Sequence, residues 1–253
     1  RYSKNNKSKL MNKKKYSVGS WVTMDCYEST EVLLQHGFDW ICIDLEHSTI
    51  SLDSMKSLIS LCEKYKVKSY VRIAEINKAL INKILDAGAA GLIVANIKSA
   101  KDLKRCCEYA FYHPKGSRGM GLSRAQGYGK KFSKYVDKDS RAIEIIPIIE
   151  SQEAINNLED ILSLKEVKIS MIGPYDLSSS LGAPGDFESK SFKSALKKYK
   201  EVSNSLSKGL GIHAVEPLKK DLSKAIEEKY VFIAFSTDVI IFDRALSNMM
   251  EAT

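Results

Sequence analysis

The chain has 253 residues, 44% of them hydrophobic and 28% charged, enough for one large core and close to the ~250 residues typical of an α/β barrel. The net charge of +8 is concentrated at one end: Arg1, Lys4, Lys7, Lys9, Lys13, Lys14 and Lys15 supply seven of these charges and leave the body at +1. Residues 1–15 therefore read as a basic, disordered tail rather than a nucleic-acid anchor, and residues 16–253 as a single domain. No apolar run approaches the ~20 residues of a bilayer span. The cysteines (Cys26, Cys42, Cys62, Cys106, Cys107) are odd in number and lack CxxC spacing, which argues against a disulfide framework or zinc site and fits a reducing cytosol.

From about residue 17 onward, short β-rich apolar runs alternate with helical patterns, the signature of βα units and a parallel sheet. Strands are predicted near 17–22, 39–44, 68–73, 91–94, 143–149, 168–172, 209–213 and 230–234. The helical pattern at Asp53 to Lys64 places Met55, Leu58, Ile59 and Cys62 on one face behind Asp53 as cap; similar patterns run over Asn77 to Ala87, Ser99 to Tyr109 and Pro217 to Glu228. Eight such units close into a (β/α)8 TIM barrel whose active site lies at the carboxyl ends of the strands. An open doubly wound sheet is the alternative, but no Gly-rich dinucleotide fingerprint follows the first strand. Pro147 removes a ladder hydrogen bond from the fifth strand and predicts a distortion just before Glu150. The irregular stretch from Tyr112 to Asp139 is long enough to be either functional or disordered.

In a barrel, strand-end residues converge on one mouth. The second strand ends in Ile43-Asp44-Leu45-Glu46-His47, the third in Val71-Arg72, the fifth in Ile149-Glu150 and the sixth in Ile172-Gly173-Pro174-Tyr175-Asp176. Glu150 and Asp176, delivered from neighbouring strands, form a hard oxygen site suited to Mg²⁺ or Mn²⁺. Backbone amides around Gly173, Pro174, Tyr175 and Asp176, at a helix start, suit a carboxylate. A metal to polarise a keto oxygen, Arg72 to stabilise enolate charge and His47 to move a proton are what carbon-carbon chemistry beside a carbonyl requires. One of Asp44 and Glu46 is expected to face inward and the other outward. His36, His113 and His213 read as structural. Lys68 and Lys168 sit at strand starts, which disfavours a Schiff base.

Several motifs in order carry a family resemblance: Gly19-Ser-Trp21, Gly37-Phe-Asp-Trp40, Ile43-Asp-Leu-Glu-His47, Val71-Arg72, Leu85-Asp-Ala-Gly-Ala89, Gly116-Ser-Arg-Gly119, Ser123-Arg-Ala125, Ile149-Glu150 and Ile172-Gly-Pro-Tyr-Asp-Leu-Ser178. The sequence resembles the HpcH/HpaI aldolases, class II metal-dependent pyruvate aldolases, over nearly everything from Gly19 to Asp243. That resemblance implies reversible cleavage of a 4-hydroxy-2-oxo acid to pyruvate and an aldehyde, with 2-dehydro-3-deoxyglucarate and 2,4-dihydroxyhept-2-ene-dioate aldolases as the nearest types. It implies Glu150 and Asp176 as ligands to Mg²⁺ or Mn²⁺, with Co²⁺ also admitted, and Arg72 on the keto oxygen. His47 would be the catalytic histidine, supported by Asp44 or by Asp86 from a neighbouring subunit or loop, and the amides at Pro174 to Asp176 would hold the pyruvate carboxylate. It also implies a homohexamer built as a trimer of dimers, with the last helix, Phe242 to Met250, packed on another chain.

Ile148 departs from the family pattern, which has glutamine there. Lys115, Arg118 and Arg124 in the long loop are candidates to read an acidic tail on the substrate. Two further readings stand beside the aldolase: a CoA-ester lyase of the citrate-lyase-like type, and a catalytically impaired barrel with a binding or scaffold role.

Overall fold

A computed structural model describes residues 15–251; the tail expected over residues 1–15 thus lies almost wholly outside the described residues. Eight parallel strands close in sequence order, with β1 pairing both β2 and β8. The strands are β1 (Ser17–Val22), β2 (Trp40–Asp44), β3 (Lys68–Ile73), β4 (Gly91–Val94), β5 (Glu144–Ile149), β6 (Ile169–Ile172), β7 (Gly209–Ala214) and β8 (Phe232–Thr237). Around them run α1 (Tyr27–Gln35), α2 (Leu52–Lys64), α3 (Lys78–Ala87), α4 (Ala100–Ala110), α5 (Phe132–Asp137), α6 (Gln152–Asn156), α7 (Leu158–Leu162), α8 (Pro174–Ser180), α9 (Lys190–Ser205), α10 (Lys219–Glu227) and α11 (Asp238–Met250). This is the (β/α)8 barrel expected from the strand–helix alternation.

Period-two alternation sorts each strand into two cores. Outward residues such as Ile41, Val71, Leu92 and Ile145 join the helix faces in the larger cluster. Inward residues, among them Trp21, Trp40, Tyr70, Ile93, Ile148, Met171 and Phe232, fill the barrel. At its amino end Trp40 stacks on Phe232 with centroids 4.1 Å apart, and Tyr70 closes against both edge-on. Gly19 makes room for this plug, since a Cβ there would lie 2.0 Å from the Trp40 ring. The filled interior confines chemistry to the opposite end.

Three local expectations are corrected. Ser51, not Asp53, caps α2, its hydroxyl accepting from the Ser54 N–H. Pro147 produces no register shift in β5; it sits where β5 pairs with β4, and the β5–β6 ladder begins one residue later at Ile148. The irregular register lies instead between β1 and β8, at Gly19 to Trp21. The eighth strand starts at Phe232 because Lys229 takes a left-handed φ of 65° and the Tyr230 N–H closes back on Ala225, ending α10.

The stretch from Tyr112 to Asp139 contains a 3-10 turn, Arg124–Gln126, and α5. It connects α4 to β5, and a helix-to-strand connection lies at the amino end of the barrel, away from the mouth. Arg118 pins it there, buried against the Tyr112 and Tyr135 rings and bonded to Asp86 of α3 at 2.6 Å. All cysteines among the described residues are free. No described helix is long and apolar enough to cross a membrane.

Candidate active site

Asp44, the last residue of β2, pairs in register with Arg72 of β3. Their side chains meet in a two-point ion pair, Nε donating to Oδ1 at 2.8 Å and Nη2 to Oδ2. Asp44 is fully buried. Burial alone would raise its pKa, but the bond to and charge of Arg72, with the N–H groups of Glu46 and His47, hold it below the ordinary carboxylate value. The Arg72 guanidinium lies 4.4 Å over the Trp21 ring, which fixes its plane.

The expected split of Asp44 and Glu46 does not occur: residues two apart on a strand share a face, and here β2 ends at Asp44 and the chain turns, the N–H groups of Glu46 and His47 both folding back onto Asp44 Oδ1. Glu46 consequently also faces the mouth, 3.4 Å from Arg72 Nε and accepting from Asn96 Nδ2 at 3.2 Å. His47 stands at the rim, its side chain 66% exposed and Nε2 3.9 Å from Glu46. Asp44 touches His47 through the backbone only.

Glu150 follows β5 directly and is almost fully buried. Burial, followed by the nearby charges of Glu46 and Asp176, pushes its pKa up to about 7, against the opposing Asn96 N–H and Arg72. Asn96 was not singled out in the sequence. It stands just past β4 with a left-handed φ of 57°, a conformation asparagine tolerates, and this turns its N–H onto Glu150 Oε1 at 2.5 Å. Its place behind a strand's carboxyl end was the available signal.

Gly173 leads from β6 into α8, whose first turn carries Pro174, Tyr175 and Asp176. A Cβ on Gly173 would lie 2.8 Å from Glu150 Cβ and 3.0 Å from its Oε2, so only glycine leaves this cradle open. Ile148 faces inward beneath it, its Cγ2 3.1 Å from the same point. Asp176 and Tyr175 are exposed at the mouth. No group of three or more His, Cys, Asp or Glu among the described residues is arranged to hold a metal. Glu150 and Asp176 still fit one of the two-carboxylate sites at which Mg²⁺ completes its shell with water and substrate oxygens, and the relief a cation would bring to their mutual repulsion favours the fit.

Two candidates lie elsewhere. Arg124 caps the carboxyl end of α3 through Ala87 O at 2.8 Å and reaches Ser60 and Glu63 on α2. It lines an amino-end cleft with Lys68 and Glu144, so it does not face this chain's own mouth. Asp86 is likewise spent on Arg118. Conversely His213, read as structural, faces inward at the end of β7, its ring 5.7 Å from that of Trp21.

Comparison with known proteins agrees with this architecture. The family model for HpcH/HpaI aldolase/citrate lyase matches residues 17–243. A 2-keto-3-deoxy-L-rhamnonate aldolase of Klebsiella pneumoniae subsp. pneumoniae is 27% identical over 235 residues, covering 92% of this chain and 87% of the relative. Among solved structures, an HpcH/HpaI aldolase/citrate lyase family protein from Burkholderia cenocepacia J2315 superposes with a TM-score of 0.88 at 24% identity, covering 94% of this chain and 95% of the other. An HpcH/HpaI aldolase from Desulfitobacterium hafniense DCB-2 superposes with a TM-score of 0.85 at 22% identity, covering 94% and 93% respectively. With its barrel closed and the family model spanning nearly all of it, the chain belongs to the HpcH/HpaI aldolase/citrate lyase family.

Proposed function

We propose that the protein is a divalent-metal-dependent aldolase that reversibly cleaves a 4-hydroxy-2-oxo acid into pyruvate and an aldehyde. The observation that carries this reading is the grouping of the Asp44–Arg72 pair with Glu150 and the Gly173 cradle at one barrel mouth. Glu150 and Asp176 would hold Mg²⁺ or Mn²⁺, which would supply Lewis acidity at the keto oxygen. Amides of the first α8 turn orient the substrate carboxylate. Arg72, held by Asp44, donates to the keto oxygen as it gains enolate charge. His47, exposed at the rim above Glu46, receives the proton of the C4 hydroxyl as the C3–C4 bond breaks and its electron pair passes to the enolate.

Lys68 is bonded to Glu144 at 2.9 Å at the amino end, which supports the metal route over a Schiff base. On α11, Val239, Phe242, Leu246 and Met249 are exposed at helical spacing, which supports association of barrels through this helix. Static light scattering on the intact protein tests that assembly; a monomer would refute it.

The activity is tested by pyruvate release from 4-hydroxy-2-oxoheptanedioate and 2-dehydro-3-deoxyglucarate, coupled to lactate dehydrogenase, with Mg²⁺, Mn²⁺ or EDTA. Turnover that EDTA and Asp176→Ala both abolish is expected. Cleavage of a CoA ester in place of either acid would replace this reading.

A further inference from the structure

Three buried polar atoms at the mouth have no hydrogen-bond partner among the described residues: Trp21 Nε1, His213 Nε2 and Ser236 Oγ. They come from neighbouring strands β1, β7 and β8 and form one patch. The Trp21 and His213 rings are 5.7 Å apart, and the Ser236 backbone is close enough to the His213 ring to act on its protonation. The patch lies across the mouth from Glu150 and Asp176, which stand behind β5 and β6.

Buried polar groups without partners are uncommon, and a cluster of them calls for a ligand. Ser236 carries a second cost, because its φ of 59° is a left-handed conformation natural to glycine. Its side chain is nevertheless fully buried with the hydroxyl free of any protein partner. Packing gives no account of a serine there.

The inventory of the patch defines what fits it. Trp21 Nε1–H only donates. His213 Nε2 accepts or donates according to the tautomer of the neutral ring. Ser236 Oγ does either. A carboxylate serves His213 in one tautomer only, and an ammonium offers no lone pair to Trp21. A hydroxyl satisfies both.

Position narrows the hydroxyl further, an argument that rests on the aldolase reading above. Arg72, assigned to the keto oxygen, lies on the Trp21 ring, so the patch borders the place which that assignment gives the keto carbon. With the carboxylate at the amides of α8, the substituent that reaches the patch is the one on C3. We propose that Trp21, His213 and Ser236 form a hydroxyl-binding subsite, and that the enzyme takes a 3-hydroxy-2-oxo acid as its keto-acid half in preference to unsubstituted pyruvate. Its cleavage substrate would then be a 3,4-dihydroxy-2-oxo acid, unlike the 3-deoxy acid in the name of the Klebsiella relative.

The test is calorimetric titration of the Mn²⁺-loaded full chain with hydroxypyruvate and with pyruvate, alongside their aldol addition to glycolaldehyde. Hydroxypyruvate is expected to bind about tenfold tighter and to show the larger kcat/KM. Both His213→Leu and Ser236→Gly should erase the preference; the glycine variant relieves the backbone strain, so it retains the fold. Equal affinities in the native chain, or a preference that survives both substitutions, overturns the subsite while pyruvate turnover leaves the aldolase reading standing. Failure of both acids to bind overturns the two together.

Discussion

Arg72 and Asp44 face each other across the β2–β3 ladder and share a two-point ion pair that is buried on the Asp44 side. Removing one partner leaves the other charge uncompensated in a poorly solvated place. Asp44→Ala should therefore lower unfolding free energy by about 3 kcal/mol, read from denaturant midpoints. It should also cut kcat, because Arg72 would swing toward Glu46, already 3.4 Å away. A variant with unchanged kcat would show that the pair serves the fold alone.

Gly173→Ala separates binding from folding. The added methyl would press on Glu150 Cβ and Oε2 and, less closely, on Ile148 Cγ2, so the carboxylate assigned to the metal is displaced first. Mn²⁺ affinity should drop at least tenfold, a factor that corresponds to about 1.4 kcal/mol, with a small change in thermal midpoint. Titration followed by electron paramagnetic resonance measures the first, and calorimetric melting the second.

His213 makes a prediction on pH. Burial, aided by the Arg72 charge, brings its pKa down to about 4, so the folded ring stays neutral while the unfolded one titrates at its ordinary value. As pH falls below about 6.5 the unfolded chain binds the proton first, and the native state loses stability until about pH 4. The loss amounts to roughly 3 kcal/mol over that window. Glu150 acts in the opposite sense: its raised pKa makes the metal-free fold less stable as pH rises towards 7. Comparing native protein with His213→Leu isolates the histidine, and identical pH slopes would refute its contribution.

Arg124→Ala is expected to act on stability rather than specificity. Its guanidinium holds the end of α3 against α2 and is remote from the same chain's mouth. A thermal midpoint a few degrees lower, with acidic and neutral aldehydes used in the native ratio, is the expected result. Selective loss of acidic aldehydes would mean that the loop reaches the site of a second subunit.

The barrel was legible because both faces of each strand are buried and leave dense apolar runs, and because Asn77 and Ser99 stand where helices begin. The charged mouth residues were legible because strand ends place them. Asn96 and Ser236 were not, since their contribution comes from left-handed backbone, which no periodicity encodes. The inward position of His213 was not legible for another reason: whether a strand residue points inward depends on register, and only the closed barrel fixes that. The position of the long loop could have been read from chain order, because it follows a helix and precedes a strand.

The aromatic plug of Trp40, Tyr70 and Phe232 has a kinetic consequence. It leaves the barrel mouth a blind alley with a single door, and in the proposed reaction the keto-acid half would sit at the inner end beside Arg72. The aldehyde, nearer the door, must depart first, and the keto acid only afterwards. Steady-state cleavage should then follow an ordered sequence in which the keto acid inhibits competitively against substrate and the aldehyde does not.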